Sequence, residues 1–259
     1  MIAFSHCLAG FAVGAIVGLT GVGGGSLMTP LLVLGFGVPP VSAVGTDLLF
    51  AGITKAGGSV GHAMKGNVDW RVTGLLAAGS VPATGAAIAL LAVLPPAGAA
   101  TRLVVSTTLG AMLVLTALAL VLRARLLAWA QARPERGWIA RHRAAATLAI
   151  GGFIGFAVTF SSVGAGAVGT TALVLLYPAL ATARIVGSDI AHAVPITLLA
   201  GLGHAALGNV NAALLASLLA GSLPGILMGA QLAAKLPERI VRHCLAGVLL
   251  LAGTRLVLH

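Results

Sequence analysis

The sequence predicts an all-α membrane protein: two inverted five-segment helical repeats, about ten helices, with broken or hairpin helices at glycine-rich loops. Three observations predict this fold class: an apolar composition, ten apolar segments and an internal repeat. The 259 residues are 59% hydrophobic and 8% charged, with a mean hydropathy of +1.08. Because a soluble domain carries about 25% charged residues, this chain can cover its surface only in lipid. A multi-pass protein of a cell membrane, in the simplest case the bacterial inner membrane, is expected.

The charged and sulfur-containing residues exclude several other classes. Fifteen basic residues against five acidic ones do not indicate nucleic-acid binding, since only 4% of residues are aromatic and the basic ones lie in short connectors. Cys7 and Cys244 lie at opposite ends of the chain, and no His/Cys spacing suggests a metal. The glycines from Gly18 to Gly25 are not followed by the lysine of a nucleotide-binding loop. Neither an enzyme nor a cofactor is therefore expected, and a homo-oligomer is left open.

Cutting the chain at charges, proline pairs and Asn/Gly clusters gives the ten segments. A bilayer core of about 30 Å needs roughly 20 helical residues. In the first half the segments cover 4–20, 26–36, 43–60, 72–93 and 102–122, and in the second half 146–160, 167–178, 184–202, 212–234 and 243–258. The first two of each half are too short to cross comfortably, and a glycine-rich break joins them. Each such pair is predicted to be a hairpin of short or broken helices.

An internal repeat relates the two halves. A shift of 142 positions aligns Gly45-Thr46-Asp47 with Gly187-Ser188-Asp189, and Gly66-Asn67-Val68-Asp69 with Gly208-Asn209-Val210-Asn211. A shift of 141 aligns the two glycine loops, which leaves one extra residue in the connector of the second half. The predicted units are a first repeat over 1–122, a basic cytoplasmic connector over 123–145 and a second, inverted repeat over 146–259.

Lys and Arg, which are enriched in short cytoplasmic loops, predict the orientation. The connector 123–145 contains six arginines and is therefore predicted to be cytoplasmic. Tracing outward places twelve Lys/Arg inside and two, Arg102 and Arg255, outside. The equivalent loops 66–69 and 208–211 then lie on opposite sides, so the repeats are inverted and both termini face outward. Such repeats are typical of secondary transporters that work by alternating access.

The two glycine loops are the candidate substrate site. A helix break at membrane depth survives only where protein or a watery cavity satisfies its backbone, and helices that restart there direct N–H groups and positive dipole ends towards the centre. That geometry suits an anion, while the alternative is that the glycines allow close helix packing. The predicted substrate-binding residues are Thr20, Gly21, Gly23, Gly24, Gly25 and Ser26 in the first loop, and Ser161, Ser162, Gly164 and Gly166 in the second.

These motifs resemble the TauE/SafE sulfite exporter family of membrane transporters. The residues that carry the resemblance are Gly21-Val22-Gly23-Gly24-Gly25-Ser26-Leu27 followed by Thr29-Pro30, the Gly45-Thr46 helix start, and His62 followed by Gly66-Asn67-Val68-Asp69-Trp70-Arg71. The resemblance implies transport of small sulfur-containing anions such as sulfite, organosulfonates or related organic acids. The second repeat departs from the pattern, with Ser162, Ala165 and Asn211 at the positions of Gly21, Gly24 and Asp69.

Ionisable residues inside the segments are candidates for coupling or gating, because such residues are costly in a membrane. Asp47 and Asp189 follow Gly-Thr and Gly-Ser pairs, where they either accept protons or cap a helix start. His192 lies one turn beyond Asp189, which favours a proton-handling pair over an isolated histidine. Lys55 either attracts the anion or extends to the membrane interface, and the second interpretation is favoured.

His62 and His204 end equivalent helices on opposite sides of the membrane, which favours a gate or helix capping over metal ligation. The leading function is a proton-linked secondary transporter, more simply an exporter, of small sulfur-containing anions. A passive anion channel, a transporter of other organic acids, and a membrane-embedded enzyme or assembly factor are the alternatives. The last of these lacks any nucleophile–base constellation in the sequence.

The predicted topology is testable by labelling. In a variant whose Cys7 and Cys244 are replaced by alanine, a Gln131→Cys substitution should react with a membrane-impermeant maleimide only after cells are opened, because the connector is expected in the cytoplasm. Labelling of intact cells would contradict both the orientation and the inversion of the repeats.

Overall fold

The computed structural model describes residues 4–20, 25–95, 98–131, 137–232 and 238–258, and these form ten α-helices with no strand among them. The helices of the first half are α1 (Phe4–Thr20), α2 (Gly25–Pro30), α3 (Pro40–Met64), α4 (Trp70–Val93) and α5 (Ala99–Gln131); those of the second are α6 (Gly137–Ser161), α7 (Ala167–Leu176), α8 (Thr182–Ala206), α9 (Ala212–Leu232) and α10 (Glu238–Leu258). A π-helical turn, Leu31–Gly35, continues α2. The all-α prediction is confirmed, and each predicted segment corresponds to one helix.

Five of these helices are long and apolar enough to cross a membrane, which makes the chain a multi-pass membrane protein. They are Trp70–Val93, Ala99–Ala130, Arg141–Ser161, Thr182–Ala206 and Ala212–Gly229. The shorter α7 begins at a break in the chain after Ser161, as the sequence predicted for a broken pair.

The connector and α6 differ from the prediction. Helix α5 continues to Gln131 and α6 begins at Gly137, so most of the arginine-rich connector is helical. Helix α6 has 25 residues and is not short, so the expectation of two short segments was wrong for this half. The physical reason is that a helix need not end where the bilayer ends, and arginine is a good helix former in water. Cutting at charges therefore shortened both helices.

Helices α3 and α8 form an antiparallel pair at the centre of the bundle. Gly45, near the start of α3, packs against His204 at the end of α8, and Gly187, near the start of α8, packs against His62 at the end of α3. Two hydrogen bonds join the same ends. The backbone N–H of Asp69 donates to Ser188 Oγ at 2.8 Å, and that of Asn211 donates to Thr46 Oγ1 at 3.1 Å.

These two bonds are equivalent under the 142-residue shift, because Asp69 corresponds to Asn211 and Thr46 corresponds to Ser188. The turns are also capped equivalently. Asp69 Oδ1 accepts from the N–H of Val72 at 3.2 Å, and Asn211 Oδ1 accepts from that of Leu214 at 3.0 Å. Asn therefore preserves the cap where the second repeat departs from Asp. Reciprocal contacts of this kind support a two-fold relation between the halves, while its inversion across a membrane stays a prediction.

Close backbone contacts at glycine join the outer helices, again between repeats. Gly10 and Gly14 of α1 lie against the carbonyls of Leu218 and Ser222 in α9. At the equivalent places in the other half, Gly151 and Gly155 of α6 lie against the carbonyls of Leu76 and Ser80 in α4. The packing interpretation of glycine therefore holds for these helix pairs, which lie outside the glycine loops.

Helix α4 offers a matched test of this packing. A Cβ on Gly79 would lie 2.0 Å from the carbonyl oxygen of Leu148, whereas a Cβ on Gly74 would meet nothing within 4 Å. Gly79→Ala should therefore force α4 and α6 apart at a cost of about 1–3 kcal/mol, and Gly74→Ala should be neutral. Thermal unfolding in detergent measures both. Equal melting temperatures for the two variants would show that the α4–α6 contact tolerates separation.

Candidate functional site

A cavity of about 620 Å³ lies beside the α3–α8 pair and is the candidate site. It extends from the middle of α3 towards the end of the bundle that carries His62 and Arg123. Its polar lining consists of Thr54, Lys55, His62, Arg123, Thr170, Thr171 and Asp189, and its apolar lining includes Val17, Leu120, Val186, Ile190 and Ile226. The start of α7, from Ala165 to Ala167, also faces it. The cavity thus brings the second glycine loop together with three of the predicted ionisable residues.

Lys55 connects α3 to the second glycine loop. Its Nζ donates to the carbonyl oxygen of Ala165 at 2.9 Å, across 110 positions of sequence. The favoured expectation that this lysine extends to the membrane interface was therefore wrong. The carbonyl of Ala165 lies in the break between α6 and α7, where it has no helical partner, and the ammonium supplies one. Lys55 also lies close enough to Asp189 and Asp47 for their charges to interact.

The second glycine loop has the backbone that its glycines predict. Gly164 and Gly166 have φ angles of +118° and +152°, where an L side chain is strained. Ser162 also has a positive φ, of 58°. The loop then enters α7 at the positive end of the helix dipole, and Ala167, the first residue of α7, lines the cavity.

Two of the predicted loop hydroxyls do not face the cavity. Ser161 Oγ donates to the carbonyl of Ala157 at 2.6 Å and accepts from the N–H of Val163 at 3.1 Å, so it holds the loop itself. Ser162 Oγ is buried beside Asp47 and lacks a well-formed hydrogen bond. Their predicted contact with an anion is not supported by this arrangement.

The first glycine loop lies largely outside the described residues. This applies to Gly21, Gly23 and Gly24, and to the surroundings of Thr20 and Gly25 at the helix ends that flank them. Ser26 is described and is buried at the start of α2. The predicted meeting of the two loops stays a prediction.

Asp47 and Asp189 lie in the eighth position of α3 and α8, so the capping interpretation is wrong. The helices begin earlier than the sequence predicted, at Pro40 and Thr182. Both carboxylates are buried, but their surroundings differ. Asp47 accepts a hydrogen bond from Thr29 Oγ1 of α2, whereas Asp189 lines the cavity and its Oδ1 has no hydrogen-bond partner among the described residues.

His192 does not pair with Asp189 as expected. Its Nε2 lies 2.8 Å from Ser80 Oγ of α4, and both side chains are fully buried. The one-turn spacing places the two residues on a common face of α8, but the imidazole contacts Ser80 of the neighbouring helix α4 instead of Asp189. Sequence reasoning missed Ser80, although Gly79-Ser80 and Gly221-Ser222 occupy matched positions.

The two histidines at the helix ends also differ. His204 is fully buried, and its Nε2 lies 2.9 Å from the carbonyl oxygen of Thr159 in α6. His62 lines the cavity, and its ring Nδ1 has no hydrogen-bond partner in the described part of the chain. The end of the bundle around His204 therefore has a side-chain contact with α6, while the imidazole at the other end faces the cavity.

Comparisons with known proteins agree on the class. A family model described as Sulfite exporter TauE/SafE matches residues 6–256. The chain is 36% identical over 255 residues, 98% of its length, to the Probable membrane transporter protein YjnA of Bacillus subtilis (strain 168), of which the match covers 99%. A 60-residue stretch is 45% identical to the Probable membrane transporter protein YunE of the same organism, and it covers 23% of this chain and 22% of that protein. No solved structure matches.

The positive φ of Gly164 gives a testable requirement. A Cβ there would also lie 2.5 Å from Met112 Cε, whereas one on Gly58, which lines the cavity, would meet nothing within 4 Å. Sulfoacetate, an organosulfonate of the class that the resemblance implies, is the probe: Gly164→Ala should cost about 1–3 kcal/mol in backbone strain and abolish the thermal stabilisation expected from this probe, while Gly58→Ala should retain it. Thermal-shift titration of monodisperse protein measures both effects. If sulfoacetate raised the melting temperature of Gly164→Ala as much as that of the unsubstituted protein, binding would not depend on this loop conformation.

Proposed function

Because the chain belongs to the TauE/SafE sulfite exporter family, we propose that it is a secondary transporter of small sulfur-containing anions such as sulfite or organosulfonates. The observation that carries this proposal is the position of Lys55. A lysine within a membrane-spanning bundle is costly and usually functional, and this one faces a cavity beside the start of a helix. We propose export, linked to protons, by alternating access.

The donors available to an anion are the ammonium of Lys55 and the N–H of Ala167 at the start of α7, since the N–H groups of Gly169 and Thr170 already donate to the carbonyls of Gly164 and Gly166. One hydrogen of the ammonium is directed to Ala165, which leaves two for a ligand. Helix N-termini bind sulfate, phosphate and carboxylate through their free N–H groups. The hydroxyl of Thr170 donates to the carbonyl of Gly166, just before α7, and that of Thr171 to the carbonyl of Ala167 within it. They line the site but have to rotate before they can donate to a substrate.

The size and lining of the cavity favour an organosulfonate over bare sulfite. One water occupies about 30 Å³ in the liquid, and a four-atom oxyanion is only a few times larger. A cavity of about 620 Å³ has room for considerably more. Its apolar wall, including Leu120, Ile190 and Ile226, suits a hydrocarbon body behind a charged head that contacts Lys55.

Asp189 supplies a simple coupling mechanism. Its carboxylate and the substrate both interact favourably with Lys55, so they compete for the same positive charge. A proton on Asp189 removes this competitor and strengthens anion binding, which makes the proton and the anion bind together. A singly charged anion and its proton then cross the membrane with no net charge, and a dianion such as sulfoacetate crosses with one negative charge fewer. A substrate that accumulates inside the cell leaves down its own gradient and carries the proton out with it.

Flux measurements in proteoliposomes test the function. Radiolabelled sulfoacetate should accumulate against its concentration gradient when a pH gradient is imposed, and more than sulfite or acetate does. Lys55→Gln should reduce this uptake at least tenfold because the charge is lost, whereas Lys65→Gln, at an exposed loop position, should behave as the unsubstituted protein. Asp189→Asn should bind sulfoacetate but no longer respond to the pH gradient.

Three results would each contradict one part of the proposal. Equilibration of sulfoacetate without accumulation would identify a passive channel. Full uptake by Lys55→Gln would place the anion site elsewhere in the bundle. Uptake of acetate in preference to both sulfur compounds would change the substrate class to carboxylates.

A further inference from the structure

The two repeats are in different states around their equivalent carboxylates. Asp47 and Asp189 are related by the 142-residue shift, and Thr29 and Thr170 by the 141-residue shift of the loop region. Thr29 Oγ1 donates to Asp47, so α2 is joined to α3. Thr170 Oγ1 instead donates to the carbonyl of Gly166, the residue before α7, and no hydroxyl of the described residues donates to Asp189. Oδ1 has no partner in either carboxylate, so the difference lies in the hydroxyl bond that Asp47 has and Asp189 lacks.

The difference follows the location of the cavity. The end of the bundle that has the Thr29–Asp47 bond also has the buried contact between His204 and Thr159. At the other end, Asp189, Thr170 and His62 all line the cavity. Thus the hydroxyl–carboxylate bond is present at the His204 end of the bundle and missing beside the cavity. A depression of about 770 Å³ also lies at the His204 end, where Ser42 and Asn211 line it, but Asp47 and His204 do not. We therefore call the His204 end the closed side and the cavity end the open side.

Thr170 lies near Asp189, since both line the cavity. Asp189 Oδ1 lies against Gly169, the residue next to Thr170, so closely that a Cβ on Gly169 would be 2.1 Å from that oxygen. A turn about χ1 of Thr170 together with a small approach of α7 to α8 would exchange its acceptor from Gly166 to Asp189. A hydrogen bond to a buried carboxylate is favourable, so closure of the cavity would give Asp189 the hydroxyl partner that Asp47 already has.

We propose that Thr29 and Thr170 are alternating latches: Thr29 holds one side of the transporter closed through Asp47, and Thr170 closes the other side through Asp189 in the opposite state. In that opposite state the Thr29–Asp47 bond is broken, and a cavity opens beside His204. This inference rests on the proposed alternating access. It assigns positioning roles to two threonines that need not touch the substrate.

Two repeat-equivalent reporters can follow the two sides without any substrate. Gly58 lines the open cavity, and Ala200, its equivalent in the second half, is fully buried on the closed side. In protein whose Cys7 and Cys244 are replaced by alanine, Gly58→Cys should react with an impermeant maleimide and Ala200→Cys should be protected.

Removing one latch should shift these reactivities in a defined direction. Thr29→Val should raise labelling of Ala200→Cys about fivefold and lower that of Gly58→Cys, as expected for the loss of one hydrogen bond. Thr170→Val should leave Ala200→Cys protected and Gly58→Cys reactive. Thr29→Ser, which keeps the hydroxyl, should label as the unsubstituted protein does, and Thr29→Ala provides a second hydroxyl-free variant if the valine variant is not monodisperse.

Equal labelling of Ala200→Cys in the serine variant and the hydroxyl-free variants would overturn the latch, as would the same shift in Thr29→Val and Thr170→Val. Because labelling needs no substrate, these outcomes are separate from the fate of the proposed function. A protein that fails to carry sulfoacetate but shows the opposed shifts would retain the latches and lose only the substrate assignment.

Discussion

Backbone groups that leave a helix inside a membrane need new hydrogen-bond partners, and the architecture around the second glycine loop depends on this constraint. Lipid offers no donors or acceptors. The break between α6 and α7 obtains its partners from the chain itself: the ammonium of Lys55 binds the Ala165 carbonyl, and the hydroxyl of Ser161 binds the backbone on both sides. The same contacts bring a positive charge and a helix start to one wall of a cavity, so the requirement of the backbone and the requirement of an anion are met by the same groups.

The second constraint is the close approach of neighbouring helix backbones, which explains why glycine recurs in these helices. Where glycine faces a carbonyl of the neighbouring helix, as at Gly14 against Ser222 and Gly155 against Ser80, any side chain would separate the two helices. Dispersion contacts between closely packed helices replace the hydrophobic effect, which lipid does not supply. The glycines of the helices and those of the loop therefore serve different purposes, since only the latter need positive φ.

The positions of the helices could be predicted from the sequence, but the side-chain contacts between them could not. Hydropathy placed all ten segments because the bilayer imposes both length and composition, and the repeat shift identified Asp47 with Asp189 before any geometry was known. Cutting at arginine failed at α5 and α6, where the helices extend past the apolar stretch. The partners of Lys55 and His192 lie 110 and 112 positions away in sequence, so local spacing could not indicate them. Spacing suggested Asp189 for His192, and packing against α4 supplied Ser80 instead.

The pairing of helices across the repeats has a consequence for biosynthesis. Helix α1 packs mainly on α9, and α4 on α6, so α1 is synthesised well before α9 can cover its glycine face. Neither half contains the partners of its own outer helices. During synthesis the first half therefore enters the bilayer with these contact surfaces uncovered, and the bundle closes only when the second half is inserted. The predicted inversion of the repeats would make the orientation of each half, set by its arginines and lysines, a condition for assembly as well, because a half inserted the wrong way round would present no matching surface.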